Sequence, residues 1–149
     1  MSRPASSIAF PRSTRLLFNL DLWLRARLMP FQLSRGSLET ALKLATPRGP
    51  ASYPGLPVSY IVGRVVRVAR RPWLMRDRRC LRQGLLGFRF LREAGHDPRL
   101  YFGVNPASIT DDRLAAHCWV DINGKTVLGM PETPLLTVYT YPEGRDSCQ

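Results

Sequence analysis

At 149 residues the chain is long enough to bury one core and too short for two comfortable ones, and 44% hydrophobic content argues against wholesale disorder. Its 22 Lys+Arg against 11 Asp+Glu give +11, which favours an acidic partner without choosing among peptide, protein, nucleic acid and membrane surface. Three cysteines, Cys80, Cys118 and Cys148, form no CxxC pair, so a disulfide framework or zinc site is not expected, and free thiols fit a reducing cytosol.

Residues 1–11 are rich in Ser and Pro and read as loose. Leu16, Leu17, Leu20, Trp23, Leu24 and Leu28 recur at helical spacing and predict a helix from Thr14 to Met29, with Pro30 as its stop. Arg15, Asp21, Arg25 and Arg27 interrupt every apolar run here. Neither a signal segment nor a membrane span is therefore expected, and the expected location is cytoplasmic. A second helix is predicted from Ser37, a good cap, to Ala45. The stretch 46–57, with Pro47, Gly49, Pro50, Pro54, Gly55 and Pro57, is a connector. A third helix should span Val58–Arg70, burying Val58, Ile61, Val62, Val65 and Val66. Arg64, Arg67 and Arg71 form a basic stripe on it, readable as a solvated face or as a dock for an acidic peptide or partner.

Pro72 breaks the chain, and a fourth helix is predicted from Arg78 to Ala94, with Gly95 as a left-handed terminator. Leu100, Phe102 and Val104 alternate as a strand, and a polar loop is expected over Asn105–Arg113. Strands then flank Asn123-Gly124, a strong signal for a two-residue hairpin turn. Thr137–Tyr141 reads as a last short strand. Helices first and antiparallel strands second predict an α+β fold: a helical lead-in and connector over 1–57, and over 58–149 a core with the fourth helix packed on a small sheet.

Cys80 falls in the first turn of the fourth helix. Unpaired backbone N–H groups and the helix dipole stabilise a thiolate there, Arg78 and Arg79 add positive charge, and the same amides can serve an oxyanion. A cysteine in a helix is ordinarily a small buried hydrophobe, so Cys80 needs a partner to become a nucleophile. Gly84 and Gly87 follow on the same face, and glycine inside a helix costs about 1 kcal/mol relative to Ala, which close approach of another element would offset. His117 lies on the strand before the hairpin. Alternation places it with Trp119 and Asp121 on one face and Cys118 on the other, so Cys118 reads as core and Cys80 as the partner of His117. His96 reads as a solvated turn residue, Trp119 as core or substrate wall, and Asp121 as a sheet-edge charge.

A Cys at a helix start followed by a His on an antiparallel strand is the circuit of papain-like and transglutaminase-like thiol enzymes. The segment CLRQGLLGFRFLREAGHDPRLYFGV followed by AHCWVDINGKTVLG resembles the leader peptidases of lasso-peptide biosynthesis, the B2-type proteins with a transglutaminase-like core. Cys80-Leu81, Gly95, Gly103-Val104, Ala116-His117, Trp119-Val120-Asp121 and Asn123-Gly124 carry the likeness, over roughly residues 72–132. It implies a cysteine endopeptidase that removes the leader from a ribosomally made precursor, with Cys80 as nucleophile and His117 as base. It also implies three partners: the precursor, a separate leader-recognition protein and a macrolactam-forming cyclase. No cofactor, metal or nucleic acid is expected. The family completes a triad with an Asp on the strand after the hairpin. Counting outward from Asn123-Gly124 sets His117 opposite Met130, so that slot falls at Gly129 or Met130 and is not acidic. Either Glu132 orients the imidazole from one diagonal step on, or a backbone carbonyl does, or the enzyme is impaired. Two rival readings are a transglutaminase-like amide transferase and a non-enzymatic basic module that binds peptide or nucleic acid.

Overall fold

The computed structural model describes residues 10–34, 36–71, 76–110 and 115–143. Among the described residues four α-helices precede a four-stranded antiparallel sheet, an α+β arrangement as expected. The expectation of a loose N-terminus and of a break at Pro72 falls largely on residues outside those described.

Helix α1 spans Arg12–Leu33 and runs through Pro30, where a stop was expected. A proline in a helix has no N–H for the carbonyl four residues back, here that of Ala26. Arg82 Nη2 donates to that oxygen at 2.7 Å and fills the gap. The buried face also differs from the expected one. Phe18, Leu22, Ala26, Pro30 and Leu33 point inward, whereas Leu16, Leu17, Leu20, Trp23, Leu24 and Leu28 are all exposed. Phe18 decides this orientation, because it meets Tyr53 and Phe90 edge-on at 5.3 and 5.1 Å.

Helix α2 (Leu38–Ala45) starts at Ser37, whose hydroxyl accepts from the Thr40 N–H. Helix α3 covers Val58–Ala69 and buries Ile61, Val65 and Ala69. A short 3-10 turn, Arg76–Arg78, leads into α4, Arg79–Glu93. Gly95 ends α4 with φ +85°, and the His96 N–H returns to the Leu91 carbonyl, a Schellman closure. His96 is tied down rather than solvated, since its Nε2 bonds the Leu56 carbonyl at 2.8 Å and pins the connector.

The sheet runs β3-β2-β1-β4, with β1 at Pro98–Val104, β2 at Ala116–Ile122, β3 at Lys125–Leu128 and β4 at Leu136–Tyr141. A 3-10 turn, Pro106–Thr110, occupies part of the expected polar loop. Strand β2 is interior, so Asp121 sits between Arg99 and Thr126 rather than at an edge. Leu100, Val120 and Leu128 face α4, and one continuous core links them to Leu85, Phe88, Phe90 and Phe18. Helices α1 and α2 contribute to that same core although they precede the division expected at residue 57. No described helix is long and apolar enough to cross a membrane.

Candidate active site

Two glycines let α4 lie almost on the sheet. A Cβ on Gly84 would stand 2.7 Å from Cys118 Sγ and 3.1 Å from Leu100 Cδ1, and one on Gly87 would overlap Leu128. The helix penalty of these residues is thus the condition for close approach, as their spacing suggested. The approach brings Cys80, near the start of α4, against β2.

Cys80 is half-buried near the start of α4, and no side chain caps that helix at Arg78. Its pKa is pushed down to about 5. The chief cause is hydrogen bonding from the Cys118 thiol; burial opposes it, and the charge of His117 and the backbone N–H groups of Cys118 and Leu81 add to it. Cys118 has a single S–H proton. With Cys80 as thiol, that proton is donated to the Cys80 carbonyl at 2.9 Å. Once Cys80 ionises, its sulfur becomes the stronger acceptor. Hydrogen bonding to the Cys80 anion, burial and the charge of Cys80 together push the Cys118 pKa up, so only one of the two thiols ionises readily. Cys118 is buried on the face opposite His117, but it is more than core filling: it touches the nucleophile candidate.

His117 is half-buried at the start of β2, and its Nε2 lies 2.8 Å from the Gly129 carbonyl. A carbonyl only accepts, so Nε2 carries the hydrogen and Nδ1 keeps a basic lone pair. His117 is close enough to Cys80 for its charge to favour the thiolate, although no hydrogen bond joins them; such bonds often tighten only on substrate binding. Behind the imidazole, Trp119 stacks at 6.5 Å and in turn stacks on Tyr101 at 5.6 Å. Trp119 is buried, and it backs the ring instead of walling the cleft.

Of the alternatives left open behind His117, Glu132 or a backbone carbonyl, the contact present is the Gly129 carbonyl. Ile122 pairs with Lys125 and Asp121 with Thr126, but Val120 pairs with Leu128, so a bulge shifts the register by one residue. Gly129 is thereby drawn alongside Cys118 and Trp119 with φ +73°, and its carbonyl reaches the imidazole. Glu132 is exposed and makes no bond to His117; it lines a cleft of about 300 Å³ together with His117, Asn105, Met130 and Leu135. Gly129 stands in the sequence at the slot where an acid was sought. The basic stripe divides. Arg64 lies over the Tyr60 ring at 5.4 Å, while Arg67 and Arg71 border a separate cavity away from the cysteine.

No curated protein and no solved structure gives a match to the chain. The family model described as the transglutaminase-like superfamily matches residues 16–139, a span that takes in most of α1, the α4 start, the His117 strand and most of β4. With that coverage, the chain belongs to the transglutaminase-like superfamily.

Proposed function

We propose that the protein is an intracellular cysteine endopeptidase that removes the leader from a ribosomally made lasso-peptide precursor. The observation that carries the reading is the pairing of a Cys80 thiol pushed down to about 5 with an imidazole whose Nε2 is committed to the Gly129 carbonyl. The Cys80 thiolate attacks the carbonyl carbon at the leader–core junction, and the first-turn N–H groups of α4 receive the developing oxyanion. His117, holding the proton taken from the thiol, gives it to the leaving amine of the core as the C–N bond breaks. Water, deprotonated by His117, then attacks the thioester, releases the leader as a carboxylate and returns the thiol. The cleft of about 300 Å³ beside His117 gives that water access.

The superfamily supports a cysteine peptidase or an amide transferase; the CLRQG and AHCWV motifs favour the peptidase on lasso precursors. A separate leader-recognition protein and a cyclase complete the proposed set of partners. The test is incubation with a precursor and recognition protein encoded beside this chain, with products weighed by mass spectrometry. Free leader and core are expected from wild type and neither from Cys80→Ala. Leader joined to an added amine would turn the assignment to amide transfer, and cleavage surviving in Cys80→Ala would refute it.

A further inference from the structure

A cavity of about 540 Å³ opens between α1, α3 and α4. Trp23, Ala26 and Val68 line it together with the side chains of Arg27, Arg67, Arg71 and Arg82, and no carboxylate is among these described lining residues. Arg82 is only 2% exposed. Its Nη2 is taken by the Ala26 carbonyl, which explains one donor, but Nε and Nη1 are buried without any partner. Buried guanidinium donors left unpaired are costly, and a bound oxyanion accepting from one of them would relieve that cost. Burial, and then the charge of Arg27, push the Arg82 pKa down.

The cavity is distinct from the cysteine site. Arg82 follows Cys80 by two residues, roughly 200° around a helix, so it faces α1 while Cys80 faces the sheet. A row of exposed apolar residues leads to its rim: Leu16 at 70%, Leu20 at 59% and Trp23 at 49% exposure, spaced i, i+4, i+7 along α1. A free phosphate or a nucleic-acid backbone would satisfy the arginines and leave that row uncovered. A peptide with both acidic and apolar side chains would use both features.

We propose that this cavity docks an acidic amphipathic peptide segment, seating a carboxylate on an unpaired donor of Arg82 between Arg67 and Arg71 and laying apolar side chains along Leu16, Leu20 and Trp23. The site owes nothing to the chemistry of Cys80, so it stands or falls apart from the peptidase reading. The experiment passes a mixed-sequence decapeptide library over the full chain carrying Cys80→Ala at physiological ionic strength and identifies retained peptides by mass spectrometry. Asp or Glu beside Leu, Phe or Met should be enriched. The best retained peptide should lose about tenfold or more in affinity on Arg67→Gln/Arg71→Gln. Arg82→Lys, which keeps the charge and a donor for the Ala26 carbonyl but not the fork, should also weaken it. Leu16→Ser/Leu20→Ser should weaken binding while preserving the preference for acids. Arg48→Gln/Arg99→Gln removes equal charge from exposed positions elsewhere and should bind like the parent. Equal weakening by that pair would reduce the effect to net charge and overturn the proposal. So would absence of acidic enrichment, including the case where millimolar inorganic phosphate alone stabilises the chain through Arg82.

Discussion

A thiol whose ionisation leans on a neighbouring S–H should lose that advantage when the donor is deleted. The thiolate of Cys80 is present above about pH 5 and is lost as pH falls through that value. Cys118→Ala removes the first cause of the shift and leaves burial opposing what remains, so the pKa should rise by about one unit or more toward an ordinary thiol. Alkylation of Cys80 by iodoacetamide, followed peptide by peptide across pH, should show the limb moved upward. Superimposable profiles would remove Cys118 from the account. The other side of the site yields a second expectation. Gly129 has φ +73°, and a Cβ there would meet the Cys118 carbonyl at 2.9 Å. Gly129→Ala should therefore displace the carbonyl that holds His117 and lower kcat by about tenfold or more with KM little changed, while Glu132→Gln stays close to wild type. The reverse ranking in steady-state kinetics would restore the carboxylate as the orienting group. The placements of Cys80 at the start of α4 and of His117 on β2 were readable from residue type and periodicity. The Gly129 contact was open only as one alternative among three, because a backbone carbonyl has no residue type and a single bulge moved the register.

At the scale of elements, order and boundaries followed from periodicity and turn chemistry: Asn123 and Gly124 make the hairpin with φ +51° and +74°, as their pairing implied. Helix α1 shows where periodicity runs out. Two apolar stripes share it, one starting at Leu16 and one at Phe18, and both repeat at helical spacing. The choice between them is made by aromatic partners at Tyr53 and Phe90, residues distant in sequence. Pro30 stays helical for a similar reason, since Arg82 lies 52 residues on and still serves the orphaned carbonyl through its bond to Ala26, 56 residues back. Helix α4 allows a test of what its glycines are for. By propensity alone, Gly84→Ala should stabilise by about 1 kcal/mol. Its Cβ would press on both Cys118 Sγ and Leu100 Cδ1 in a buried seam, and overpacking there costs about 1–3 kcal/mol. Net destabilisation is expected in urea titrations, together with slower alkylation of Cys80 as the helix lifts from β2. A more stable and equally reactive variant would show that the seam has slack.

For the molecule as a whole, charge sets the response to salt. An excess of +11 means self-repulsion in the folded state, opposed among the described residues by few ion pairs. Arg25–Asp21 and Lys43–Glu39 are i,i+4 pairs at the surface and Arg92–Asp97 is long at 3.8 Å, so screening them forfeits little. Arg89–Glu93 at 2.9 Å is mostly buried and is screened less. Repulsion acts over longer distances, and the Debye length falls from about 20 to about 7 Å as salt rises from about 0.02 to about 0.2 M. The clustering of Arg27, Arg67, Arg71 and Arg82 around one cavity concentrates that repulsion. Sodium chloride over this range should therefore raise the melting temperature by about 2–4 °C, corresponding to roughly 1 kcal/mol for a chain of this size. Arg67→Gln/Arg71→Gln should begin higher than wild type at low salt and converge with it at high salt. Scanning calorimetry of both proteins along the salt series provides the measurement. A melting temperature that falls with salt would mean the ion pairs outweigh the repulsion, and parallel curves for the two proteins would place the strain somewhere other than this cavity.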